Sequence, residues 1–160
     1  MSTDSEKFRP KHTISDSNAF QKGREQLGKI ILQGMKTTGG TDVDWLIEHR
    51  GGFIILELKE FHDNVITIPV GQMIAFEKLH ERLISGGKCF FLIFANDSID
   101  FKNPDSSVWY FDMIDWNNGN IPKNKTKTGR WYVIEREFMH KITIQGFRDI
   151  IESFWKEFEK

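Results

Sequence analysis

The run Phe53-Ile54-Ile55-Leu56 constrains the fold more than any other stretch of this chain. Successive side chains of a strand point to opposite faces, so four apolar residues in a row make both faces apolar. Such a strand belongs inside a sheet, covered on either side. It runs straight into Glu57-Leu58-Lys59, and charges at the end of a buried strand are costly unless they are paired or given a cation. Residues 43–49 read as a second strand, and Arg50-Gly51-Gly52 between the two is a tight-hairpin signal.

The rest of the chain supplies the cover. Its 160 residues suffice for one domain whose core needs neither disulfides nor a structural metal. A helix is predicted from about Ser17 to Gln33, with Phe20, Leu27, Ile30 and Ile31 on one side and Gly39-Gly40 beyond its end. A second is predicted from Pro69 to Ser85, because proline suits a first turn and Gly86-Gly87 marks a stop. Its apolar stripe is Val70, Met73, Ile74, Phe76, Leu79 and Leu83. Residues 90–95 read as a buried strand, 107–114 and 130–135 as two more, and 146–159 as a last helix with one aromatic-rich face. The predicted order is α-β-β-α-β-β-β-α. That is an α/β domain over residues 15–160, a mixed central sheet flanked by helices, behind a flexible polar arm at residues 1–14.

Register decides which side chains of the hairpin meet. A two-residue loop at Arg50-Gly51 sets Asp44 opposite Glu57; a loop at Gly51-Gly52 sets it opposite Lys59. Either register puts the three on one face, since opposed residues share a face and Glu57 and Lys59 are two apart. Opposed Cβ atoms lie about 4.5–5.5 Å apart, so two carboxylates and an amine converge. A three-residue loop without a bulge breaks the arrangement. Paired carboxylates are the oxygen donors that Mg²⁺ prefers, and such an ion activates water and stabilises charge on a phosphate. On residue types alone, an ordinary Glu–Lys pair with Asp44 as a solvated acid is the simpler account, because a Glu-x-Lys triplet is common.

The order of elements around the triplet shifts that balance. The stretch from Asp44-Trp45-Leu46-Ile47 through Phe53-Ile54-Ile55-Leu56-Glu57-Leu58-Lys59 resembles the core of the PD-(D/E)XK nuclease superfamily. In that family an Asp on one strand and a Glu-x-Lys on the next hold one or two Mg²⁺ and hydrolyse phosphodiesters. Glu25 resembles the acid that many members carry on the preceding helix. Thr37-Thr38-Gly39-Gly40-Thr41-Asp42 resembles the polar turn into the Asp strand, and Gln72 the glutamine on the following helix. The resemblance covers residues 20–95 and is strongest to Holliday-junction resolvases. It implies a restriction-endonuclease-like fold and a Mg²⁺-dependent DNA endonuclease, with Mn²⁺ able to substitute. Asp44, Glu57 and the Leu58 carbonyl would hold metal with help from Glu25; Lys59 would position the attacking water and Gln72 would support the site. The product would carry a 5′-phosphate. The chain departs from the pattern at Val43, where the family has Pro, and at Asp42, which shares Asp44's face and competes with it as ligand.

Composition does not advertise a nucleic-acid partner: the net charge is −1, whereas a nucleic-acid reader is usually basic. Local patches carry such binding. Lys123, Lys125, Lys127 and Arg130, between Trp116 and Trp131, read as phosphate and base contacts or as a mobile loop over two core tryptophans. Lys7, Arg9, Lys11 and His12 admit the same two readings. The five histidines, His62 after the triplet among them, lack zinc-ligand spacing. No Gly-rich phosphate loop, serine nucleophile elbow or dinucleotide fingerprint occurs. The single cysteine, Cys89, precludes an intrachain disulfide; a polar N-terminal stretch and the lack of a membrane-length apolar run complete the expectation of a cytoplasmic, reducing location without a membrane partner. Symmetric cutting of branched DNA would call for a homodimer. A non-catalytic DNA- or protein-binding module and a restriction or repair nuclease are the rival readings.

Overall fold

The computed structural model describes residues 16–34, 41–97 and 102–160. The chain divides into two compact units, Met1–Gly40 and Thr41–Lys160. The first contains one described helix, α1 (Ser17–Gly34), opened by Asp16, whose Oδ1 accepts the Ala19 N–H at 2.9 Å. The predicted arm with Lys7, Arg9, Lys11 and His12, and the turn at residues 37–40, lie outside the described residues.

The second unit is α/β. β1 (Trp45–His49) and β2 (Gly52–Glu60) form the hairpin, with His49 opposite Gly52 and a two-residue loop at Arg50-Gly51. Both loop residues have positive φ, 51° and 78°, which fits the primed turns that match strand twist. β2 pairs in parallel with β4 (Cys89–Asn96), β4 antiparallel with β5 (Ser107–Asp112), and β5 antiparallel with β7 (His140–Thr143). The sheet order is β1-β2-β4-β5-β7. β3 (Val65–Pro69) and β6 (Trp131–Glu135) form a separate antiparallel pair. α2 (Val70–Ser85) leads from β3 to β4, α3 (Met113–Asn117) follows β5, and α4 (Ile144–Phe158) follows β7.

β2 is loaded on both faces, as its apolar run requires. Ile55 belongs to a core with Met73 and Phe76 of α2, Phe91, Phe111 and Trp116. Ile54 and Leu56 belong to a second core with Leu92, Phe94 and Phe158, against which Phe147 and Phe154 of α4 pack. Each such side chain contributes about 1.5–3 kcal/mol when fully buried, so β2 is firmly anchored on both faces where it carries the charged residues.

The structure departs from the predicted order in four places. β3 is a strand in a stretch to which no element was assigned; Ile66 and Ile68 are buried and Thr67 between them is exposed, the period-2 signal of a half-buried strand. The strand predicted at 130–135 forms, but with β3 in the two-stranded sheet rather than in the central one. The strand predicted to reach Ile114 stops at Asp112, whose carboxylate accepts the Asp115 N–H at 2.7 Å and caps α3. β7 takes residues to which no element was assigned, and α4 starts at Ile144 because Thr143 caps it through Gly146 at 3.0 Å. Within α2, Ile74 is half exposed and His80 takes the buried position.

Candidate active site

β1 begins at Trp45, paired with Leu56, so Asp44 stands one step outside the strand, in line with Glu57. Of the two predicted registers, this is the one with the Arg50-Gly51 loop. Asp44 is exposed and turns its carboxylate to the main chain of β2, where Oδ2 accepts the Leu58 N–H at 2.7 Å. The N–H and C=O of one strand residue face the same neighbour. The Leu58 carbonyl therefore points to the side where β1 has already ended.

Glu57 is 4% exposed. Its Oε1 accepts from Lys59 Nζ at 2.7 Å and from Gln72 Nε2 at 3.1 Å, and Lys59 Nζ also donates to Gln72 Oε1 at 3.0 Å. The three side chains close a ring. Gln72 reaches it from the first turn of α2, where Pro69 pre-sets the chain for the helix. The other oxygen, Glu57 Oε2, is buried without a hydrogen-bond partner among the described residues. Burial holds the Glu57 carboxyl above the ordinary glutamate range. The hydrogen bond and charge of Lys59 pull it down only in part, the charge of Asp44 pushes it up again, and the Asp44 main-chain N–H is a small lowering influence.

These oxygens suit a hard cation. The Asp44 carboxylate lies close enough for its charge to act on Glu57, and Mg²⁺ is commonly held by one or two carboxylates while it keeps several waters. Among the described residues no three His, Cys, Asp or Glu side chains are grouped to hold a metal ion by themselves, so the fit is to an ion that stays partly hydrated. Asp42 is exposed two residues before Asp44. Glu25 belongs to the 1–40 unit, where its Oε1 accepts from Gln21 at 3.5 Å.

The basic segment divides on inspection. Trp116 is fully buried and donates its indole N–H to Glu77 Oε1 at 2.5 Å, so of the two readings it takes the core one and is not free to stack on bases. Trp131 is 43% exposed. His62 makes main-chain bonds with Val65 at the mouth of β3.

Arg136 was not singled out from the sequence. Its guanidinium is held by Asp97, with Nη1 at 2.8 Å from Oδ2, and lies 4.1 Å over the Phe61 ring and 4.4 Å over that of Trp109. Arg136 and Trp109 border an open cleft of about 480 Å³ lined also by Asp63, Glu135 and Met139. The partners are far apart in sequence and share no local signal.

No protein-family model matches this chain, and no curated protein matches it.

Proposed function

We propose that this chain is a metal-dependent DNA endonuclease of the PD-(D/E)XK type that hydrolyses phosphodiesters in branched DNA, in the manner of a junction resolvase. The observation that carries the reading is the unpaired Glu57 Oε2, buried beside Asp44 while Oε1 is locked by Lys59 and Gln72. A carboxylate shared in this way between an amine and an open coordination direction is expected of a metal ligand and wasteful in a plain ion pair.

A bound Mg²⁺ would lower the pKa of a coordinated water and stabilise charge on the phosphate. Asp44, Glu57 and the Leu58 carbonyl would hold it. Lys59 presents an ammonium, fixed at 2.7 Å from Glu57 Oε1, that orients the attacking water or stabilises the charge developing on the phosphate. Gln72 holds both neighbours in register. Glu25 is proposed as a further support from α1, and Mn²⁺ as a substitute ion. A homodimer in a reducing, cytoplasmic setting completes the proposal; the described helices include none long and apolar enough to cross a membrane.

The test is cleavage of labelled linear duplex, single strand, flap and four-way junction with Mg²⁺, Mn²⁺ or EDTA. Metal-dependent cutting, strongest on the junction and lost in Glu57→Ala and Lys59→Ala with the fold intact, is the expected result. Absence of both cutting and metal binding in the wild type would sink the proposal.

A further inference from the structure

We propose that the segment over residues 123–131 is a clamp for the DNA sugar-phosphate backbone, in which Lys127 and Arg130 make the contacts while Lys123 and Lys125 hold the clamp in shape. The identity of the polyanion rests on the nuclease reading; the division of labour rests on geometry.

The segment is built. Ile121 is buried at its base. Val133 N–H donates to Asn124 O at 2.9 Å and Thr126 N–H to Trp131 O at 2.9 Å, so the chain folds back along β6. Gly129 N–H donates to Thr126 O at 2.8 Å, and the positive φ of Gly129, 68°, closes the tip.

The four cations then separate into two pairs. Lys123 Nζ lies 4.7 Å over the Trp116 ring and 3.8 Å from Glu77 Oε1. Lys125 Nζ lies 5.2 Å over the Tyr132 ring. Both are committed to the protein by cation–π contact. Lys127 at the tip and Arg130 just after it are exposed, and neither side chain has a hydrogen bond or ion pair among the described residues.

Their position is what links them to the site. The Arg130 carbonyl accepts the N–H of Val70, the first residue of α2, at 3.0 Å. Gln72, in the ring with Glu57 and Lys59, is two residues on, about 3 Å along the helix axis. The far end of the small sheet has the opposite character. Val65 pairs with Glu135 there, and the cleft is lined by Asp63, Glu135 and Glu137 together with Arg136, whose own charge is paired with Asp97. Four steps of strand, from Val65 to Pro69, separate the two ends by about 13 Å. A duplex backbone is thus drawn to the Pro69–Trp131 end, beside the ring, and repelled from the other. A net charge of −1 conceals this polarity.

The experiment measures binding of the full chain to a labelled duplex in EDTA across a salt series, with melting temperatures in parallel. Each phosphate contact adds about −0.9 to the slope of log K against log salt. Lys127→Ser/Arg130→Ser is expected to make the slope shallower by about 2 at an unchanged melting temperature. Lys123→Ser/Lys125→Ser is expected to lower the melting temperature and keep the slope. An unchanged slope in the first variant, or a wild type that fails to bind at low salt, overturns the clamp. Cleavage is scored separately. Cutting by the wild type with an unchanged slope in Lys127→Ser/Arg130→Ser removes the clamp and keeps the nuclease; a shallower slope without cutting does the reverse.

Discussion

Asp44 Oδ2 accepts the Leu58 main-chain N–H at 2.7 Å, one residue beyond the last pair of β1 with β2. A side-chain carboxylate here takes over the hydrogen bond that a longer β1 would have made, which leaves the Leu58 carbonyl beyond the last strand pair, while Glu57 Oε2 stays buried without a partner among the described residues.

Glu57→Gln is expected to raise the melting temperature at neutral pH in the absence of metal. The folded-state pKa of Glu57 lies above its ordinary value because of burial. An acid so shifted lends stability that is full below the unfolded value and lost as pH rises through the folded one. The advantage of the Gln variant should therefore be largest at pH 7–8 and fade towards the ordinary glutamate range. A gain of about 1 kcal/mol corresponds to about 2–4 °C in a chain of this size. Melts from pH 4 to pH 8 check it; a variant less stable than wild type throughout contradicts the assignment.

Mg²⁺ should stabilise the wild type increasingly as pH rises, because proton and cation compete for Glu57. At a hundredfold excess over Kd the gain is about 2.7 kcal/mol. Asp44→Asn and Glu57→Gln should each abolish most of it. The reading is the metal-induced shift in melting temperature at several pH values, and a shift equal in all three proteins points to adventitious ions.

Gln72 touches Glu57 and Lys59 at 3.1 and 3.0 Å and acts through them. Gln72→Ala should lower kcat by about 10- to 100-fold, the worth of a hydrogen bond to a charged group. KM should stay unchanged, and the pH profile should shift because Glu57 loses a donor. A rise in KM alone would assign Gln72 to substrate binding instead.

Gly52 leaves no space for a side chain: a Cβ there would lie 2.3 Å from the Phe158 ring. Gly52→Ala should cost about 1–3 kcal/mol through overpacking, read by chemical denaturation. Adding Phe158→Leu should recover part of the loss, since the ring is the obstacle. Additive losses in the double variant would place the strain elsewhere.

Cys89 should be unreactive in the native protein. It is 4% exposed, and burial pushes its thiol up to about 11, which leaves little thiolate at pH 8. A thiol reagent should label one site per chain in denaturant and almost none without it. Fast native labelling would show that β4 opens readily.

How much of this was legible in the sequence depends on the range over which each signal acts. Phe53–Leu56 announced a strand covered on both faces, since alternation leaves no other place for four apolar residues, and Glu57 and Lys59 follow on one face from the same two-residue period. The Arg50-Gly51 turn was one of two offered, and the pairing of His49 with Gly52 chose it. Val65-Ile66-Thr67-Ile68 carried a strand signal that the adjoining Pro69 helix start obscured. Nothing local could pair it with Trp131–Glu135, because that choice is made by burial of Ile66, Ile68 and Ile134 in a shared core.

The candidate site divides the same way. The sequence by itself determined the residue types and, through strand periodicity, the shared face of Asp44, Glu57 and Lys59. Only the tertiary structure decided that Gln72 closes the ring and that Glu57 keeps one oxygen unpaired. The packing of Trp116 likewise separates Lys123 from Lys127 and Arg130. Those outcomes join elements distant along the chain, and desolvation at their contact, which no residue type encodes alone, sets the energies involved.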